Sequence, residues 1–167
     1  EMAKATITEP LGMNRTNFNI KAMEAADNAA LGYGIDENDA IEKLDYYRIR
    51  AMSAAGSINS SVNEMSQWVI TWINGGKYKD QEILPADYVK EAMSSHAVVS
   101  SGLPSAKHPD MHFNTYGYGW FLHAYRGHFL VEHGGNIDGF SANTSFYPSD
   151  SIGIVVLVNQ DGSGIPS

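Results

Sequence analysis

At 167 residues the chain is long enough for one ordinary domain and too short for two well-formed ones. Hydrophobic residues at 43% and charged residues at 18% give a globular composition. A net charge of -8, with few and scattered Lys and Arg, excludes a nucleic-acid partner, because backbone phosphates demand a basic face. No apolar run reaches the ~18 residues of a membrane span, and the absence of cysteine removes disulfides, thiolate metal sites and a cysteine nucleophile.

Glu1-Met2-Ala3-Lys4 reads as the interior of a longer sequence, so we expect the N-terminus to lie upstream. Residues 1 to 8 suit the last turns of a helix, stopped by Pro10 and Gly12. From 13 to 52 no period is sustained, and the reading is loops, a short helix near Lys21 to Ala30 and one strand near Tyr46 to Met52. Then the signal sharpens. Ser61 with Glu64 three residues on is a capping-box pattern. Val62, Met65, Val69, Trp72 and Ile73 recur at helical spacing, and Asn74-Gly75-Gly76 supplies the stop. A second helix begins at Pro85 and runs to about Ser95, with Tyr88, Val89, Ala92 and Met93 inward. Residues 96 to 112, with Ser, Gly, Pro and three of the six histidines, read as a long exposed loop.

Beyond Phe113 the texture becomes β-rich and aromatic. "YGYGWFLHAY" and "HFLVEH" form a hairpin around Arg126-Gly127. "GFSANTSFYP" and "SIGIVVLVN" form a second around Pro148-Ser149-Asp150. Ile154 to Val158 is continuously apolar, which predicts a strand covered on both faces. Two helices followed by four sequential strands suggest an antiparallel sheet with helices packed on it, an α+β or layered α/β arrangement.

"AAGSINSSVNEMSQWVITWINGG", "YGYGW", "HGGNIDGFSA" and "IGIVVLVN", in this order and at these spacings, resemble the serine β-lactamase-like superfamily, in the branch of class C β-lactamases, DD-peptidases and related esterases. The resemblance implies that 1–167 is the C-terminal part of such a domain. Residues 1–56 would end the helical subdomain and its loops, and 57–167 would supply helices and C-terminal antiparallel strands. It also implies a serine hydrolase acting on amide or ester bonds through an acyl-serine intermediate, without a cofactor, in an extracytoplasmic or periplasmic setting. Family members carry a Ser-x-x-Lys nucleophile motif, a Tyr-x-Asn or Ser-x-Asn motif, and Lys-Thr-Gly or His-x-Gly. Here His133-Gly134-Gly135 matches the third, whereas no serine has a lysine three positions on and no tyrosine an asparagine two positions on. Ser57-Ile58-Asn59 and Ser141-Ala142-Asn143 fall at the wrong places and are read as coincidences. Covalent acyl transfer needs an activated nucleophile with a base in reach, and this sequence offers a wall without it.

His133 is the sharpest candidate, able to donate a hydrogen bond near the scissile group or to carry positive charge toward a carboxylate. Gly134 and Gly135 either leave the strand edge bare for substrate or make a bulge, and the two are compatible. By resemblance the backbone N–H of Asn136 is the oxyanion donor. Tyr116 and Tyr118 line a core or cleft and could border a substrate groove; Ser141 resembles a position near the cleft, although a strand serine is commonly structural. His108 and His112, four apart, suggest a metal site, but Pro109 between them and the lack of a His-Glu-x-x-His pattern argue against one. We therefore expect no metal, a small-molecule or peptide substrate with an amide or ester carbonyl, and association with the missing N-terminal part or another chain. The rival expectations are a non-catalytic binding module that keeps the cleft wall, and one half of a complementing pair.

Overall fold

The computed structural model describes residues 2–48, 53–100 and 102–166. The first helical segment contains a π-helical turn over Lys4–Thr8 that runs directly into α1 (Glu9–Leu11). Pro10 does not stop it. The Glu9 N–H reaches back to the Lys4 carbonyl, and this wider turn relieves the clash a proline ring makes in an ordinary helix. Gly12, at φ 72°, ends the segment instead. α2 (Ile20–Glu24) is capped by Asn19, whose side chain accepts from Ala22 N–H at 2.8 Å. It is shorter than the expected 21–30 because none of its residues is buried and Asp27-Asn28 follow. β1 (Gly32–Ile35) pairs antiparallel with β2 (Ile41–Leu44), a hairpin that the sequence reading missed. Asp36 makes its turn, its Oδ1 accepting from Asn38 and Ala40 N–H groups at 2.8 Å each. The strand expected at 46–52 is not found over Tyr46–Arg48, and 49–52 lie outside the described residues.

After α3 (Ser53–Gly56) comes α4 (Val62–Ile73). The Ser61 hydroxyl accepts from Glu64 N–H at 3.4 Å, half of the capping box. Glu64 itself turns away to other donors. The helix stops in a Schellman pattern, with Gly76 N–H on the Thr71 carbonyl at 2.8 Å and Gly75 N–H on Trp72 at 3.1 Å, both glycines at positive φ. A short hairpin of β3 (Lys77–Tyr78) and β4 (Gln81–Glu82) leads to α5 (Ala86–Ala92), whose N-cap is Pro85. Val89 and Ala92 of α5 are buried as expected, while Tyr88 stays 44% exposed and only edges toward Trp72.

Then follow β5 (Ala97–Ser100), β6 (Met111–Tyr116), β7 (Phe121–Tyr125), β8 (His128–Ile137), β9 (Phe140–Tyr147) and β10 (Ile152–Val158). They form one α+β sheet in the order β10-β9-β8-β7-β6-β5, each strand beside its sequence neighbour. Two corrections follow. The expected loop 96–112 contains β5 and the start of β6, hidden in sequence because register shifts at Val98/Ser100 and at His112/Thr115 break the alternation. "YGYGW" is not strand throughout: Tyr116 ends β6, and Gly117–Trp120 turn the chain into β7. The β7–β8 turn places both Arg126 and Gly127 at positive φ, as a tight two-residue hairpin requires. β10 is also not covered on both faces. Among the described residues it is an edge strand, and Ile152, Ile154 and Leu157 remain 42–52% exposed.

Contacts divide the chain into two compact units. One comprises Glu1–Leu11, Ser66–His133 and Thr144–Ile154; the other Gly12–Met65, Gly134–Asn143 and Val155–Ser167. The first unit is built around Trp72, whose ring meets Trp68 at 5.5 Å, Trp120 at 5.2 Å and Phe146 at 6.4 Å. Such pairs contribute ~0.5–1.5 kcal/mol each beyond burial. Gly153 admits the helix onto the sheet, since a Cβ there would collide with the Val69 side chain. In the second unit the buried Glu64 carboxylate accepts from Arg15 N–H at 2.8 Å and the Thr16 hydroxyl at 2.6 Å. Gly32 and Gly139 meet backbone to backbone, with no room for a side chain on either.

Candidate active-site wall

In the first unit, Tyr116 is pinned by its backbone. Its carbonyl accepts from His96 N–H at 3.0 Å, and the Ala92 carbonyl at the end of α5 accepts from Tyr118 N–H at 3.0 Å. Gly117 lies against that same carbonyl, where no Cβ would fit. The helix end thereby finds a donor and β6 finds an anchor. Register carries Tyr116 onto Phe121 of β7, and Phe121 onto Glu132 of β8, which ends the β7 pairing one residue before His133.

Three rings then close together. The Phe121 ring lies 4.7 Å from Tyr116 and 5.5 Å from His133, and Tyr116 Oη is 3.1 Å from His133 Nε2. Two of the expected site residues, Tyr116 and His133, are thus brought into contact. Tyr118 is not part of this group: its ring stacks on His96 at 4.4 Å. Phe121 went unnoticed in the sequence, although it sits two residues before His123 on the same strand face, where period-2 patterning could have found it.

Three of the other five histidines stand beside carboxylates. His123, buried, is 3.1 Å from Glu132; His128 is 2.9 Å from Asp150; His96 is 3.3 Å from Glu91. Among the described residues no group of three or more His, Asp and Glu side chains is placed to hold a metal ion. Nearby, burial pushes the Tyr147 phenol above its ordinary value, and Tyr125, Glu132 and Asp150 add to that shift.

In the second unit, Gly134 lies against β9, where an added Cβ would stand 3.4 Å from the Ala142 carbonyl. A Cβ on Gly135 would meet nothing within 4 Å. Neither glycine has a positive φ, so backbone conformation does not demand them. Asn136 is exposed, and its Oδ1 accepts from the Ser141 hydroxyl at 2.6 Å. Ser141 is 3% exposed, with the Gln160 carbonyl 2.8 Å from its oxygen and the Ser163 N–H donating to it at 2.9 Å. Its hydroxyl ties the loop after β10 to the start of β9. The β8–β9 turn beside it is held by Tyr33 N–H on the Gly139 carbonyl at 3.3 Å.

The six-stranded sheet and its helices have the α+β arrangement of the β-lactamase-like fold. The family model described as Beta-lactamase matches residues 1–165, and the chain belongs to that family. It is 27% identical over 164 residues to "Unguisins hydrolase ungD" of Aspergillus violaceofuscus (strain CBS 115571), covering 92% of this chain and 29% of that protein. It is 28% identical over 153 residues to "Putative beta-lactamase-like 1" of Homo sapiens, covering 91% of this chain and 27% of that protein. The solved octameric penicillin-binding protein homologue from Pyrococcus abyssi superposes with a TM-score of 0.80 at 27% identity, covering 96% of this chain and 33% of that one. The chain thus spans less than a third of the length of these curated relatives.

Proposed function

We propose that this chain forms the histidine-bearing wall of a serine hydrolase acting on amide or ester bonds, with the nucleophile supplied by sequence outside it. In that reaction a serine oxygen bonds to the substrate carbonyl carbon, the amine or alcohol leaves with the serine proton, and water releases the acid and regenerates the serine. His133 faces the substrate, the Asn136 N–H stabilises the developing oxyanion, and Gly134 and Gly135 let substrate lie along the strand. Tyr116 and Tyr118 border the groove; Ser141 holds Asn136 in place. The observation that carries this reading is Gly135, where a side chain would meet nothing within 4 Å and no positive φ calls for glycine.

The relative named an unguisins hydrolase supports hydrolysis as the reaction, and a histidine where other branches place lysine leans away from a dedicated β-lactamase. The exposed Ile152, Ile154 and Leu157 support a further segment or chain that covers β10. Export across a membrane fits the penicillin-binding protein likeness. A second reading, a binding module that keeps the wall without chemistry, is favoured by the lack of Ser-x-x-Lys in this sequence.

Intact mass after incubation with a fluorophosphonate and, separately, with a penicillin decides between them, on this chain and on the longest natural form of the protein. An adduct on the long form alone supports the hydrolase reading. No adduct on either form supports the binding module. An adduct on this chain by itself overturns the placement of the nucleophile outside it.

A further inference from the structure

We infer that the segment after β10, residues 160–163, positions the oxyanion end of β8. It acts through the Ser141 hydroxyl on an Asn136 carboxamide whose nitrogen points inward. The inference rests on the Asn136 N–H being the oxyanion donor of the proposed hydrolase, and it deepens that reading by naming what holds the donor.

Ser141 is buried at the start of β9, and three polar atoms stand around its oxygen. They are Asn136 Oδ1 at 2.6 Å, the Gln160 carbonyl oxygen at 2.8 Å and the Ser163 nitrogen at 2.9 Å. A backbone N–H only donates, so Ser163 fills one lone pair of the hydroxyl. The hydroxyl has one proton, and two oxygens are placed to accept it. Sharing it would lengthen both contacts, yet neither is longer than an ordinary single O–H to O bond. One contact would therefore set oxygen against oxygen with no hydrogen between them. The Gln160 carbonyl is fixed by the main chain. The Asn136 carboxamide is not: its two ends have the same shape, and half a turn about its last bond exchanges them. With the nitrogen inward, Asn136 donates to Ser141, Ser141 donates to Gln160, and the Ser163 N–H donates to Ser141. Each group then has a partner, and because Asn136 is exposed, water serves its oxygen.

The segment that completes this network is itself tied down. Asp161 N–H donates to the Tyr33 carbonyl at 2.8 Å, and Asn159 Nδ2 to the Leu31 carbonyl at 3.1 Å. Tyr33 N–H donates in turn to the Gly139 carbonyl in the β8–β9 turn. All of these residues belong to the second unit. β1, the β8–β9 turn and the segment after β10 thus brace one another, and Ser141 is where the brace meets Asn136. A side chain anchored at its tip restrains the backbone that carries it, and the Asn136 N–H moves with that backbone. An oxyanion donor works by standing in place before the charge develops, so the brace acts on the rate and not on binding.

The test uses the longest natural form of the protein. Asn136→Asp puts at Ser141 an oxygen that cannot donate and that competes with Gln160 for the one proton, whereas Asn136→Ala leaves the other two bonds intact. Asn136→Asp should therefore be the less stable of the two, its folding equilibrium constant about ten-fold lower, or ~1.4 kcal/mol. Urea midpoints in about 1 M salt, where distant charges are screened, measure the order. Equal midpoints, or Asn136→Asp above Asn136→Ala, would mean that Ser141 donates to Asn136, and the orientation falls.

The positioning role is read from acylation by a fluorophosphonate. Ser141→Ala removes the hydroxyl and Ser163→Pro removes the N–H that donates to it. Each should lower the maximal acylation rate about ten-fold or more, with the half-saturating reagent concentration and the final amount of adduct unchanged. Ser163→Ala keeps the N–H and should acylate at the parent rate. A parent rate in Ser141→Ala or Ser163→Pro, an equal loss in Ser163→Ala, or a loss seen only as less total adduct overturns the role. A parent that takes no adduct counts against the hydrolase itself, while the order of the midpoints still decides how the Asn136 carboxamide stands.

Discussion

The hydroxyl of Thr16 donates to the carboxylate of Glu64 at 2.6 Å, a bond that joins residues 48 positions apart. Glu64 is 7% exposed, and its other oxygen accepts from Arg15 N–H. One glutamate therefore secures the loop after α1 to the first turn of α4. Replacing it with alanine leaves the Arg15 N–H and the Thr16 hydroxyl without this acceptor. We expect Glu64→Ala to lose about 1–3 kcal/mol, the cost of stranding buried polar groups. Thr16→Ala should lose less, because the Arg15 bond survives. Urea midpoints at constant slope measure both.

Gly153 and Val69 set the approach of α4 to β10. Gly153→Val should destabilise by about 1–3 kcal/mol through overpacking, since the added side chain enters the space held by Val69. Val69→Ala in the same chain should recover part of that loss. A double-mutant cycle with zero coupling would remove steric contact as the explanation.

Gly135→Val tests the wall directly. Open space surrounds the position and its φ suits any residue, so the change should alter stability by no more than ~0.5 kcal/mol. In the longest natural form it should slow acylation by a fluorophosphonate by about ten-fold or more, a barrier increase of at least ~1.4 kcal/mol. Normal stability with normal acylation would separate Gly135 from the substrate path.

Asp36 supplies a pH signature. Its carboxylate is held below its ordinary value of 3.8 by the Ala40 and Asn38 N–H groups. With the folded value depressed, its contribution to stability is present above 3.8 and is lost as pH falls through the lower folded value. Asp36→Ala should therefore be less stable than the parent at neutral pH. The difference should shrink as pH drops below that range, as thermal melts across an acid series would reveal.

What sequence disclosed was what repeats or punctuates. α4 was legible because five apolar residues share one helical face between Ser61 and a paired glycine. The Arg126-Gly127 and Pro148-Ser149-Asp150 turns were legible because few residues adopt those conformations. β5 and β6 were not, since two register shifts break the alternation and Phe113 takes a φ of 57° in the middle of β6. β1 and β2 escaped because each is four residues long and Gly32 and Gly34 give β1 no side-chain pattern. In the wall, His133 with its glycines stood out as a motif. Its contact with Tyr116 did not, because it spans 17 residues and depends on where a turn begins.

β10 has a physical consequence beyond packing. "IGIVVLV" holds neither charge nor proline, and among the described residues no further strand lies on its outer side. Such an edge offers a ladder of backbone donors and acceptors to any extended chain that meets it, including the same seven residues of a second molecule. Left alone at high concentration, the chain is prone to stack strand on strand into fibres. A lysine in place of Ile154, pointing into water, is the smallest change that would keep it dispersed.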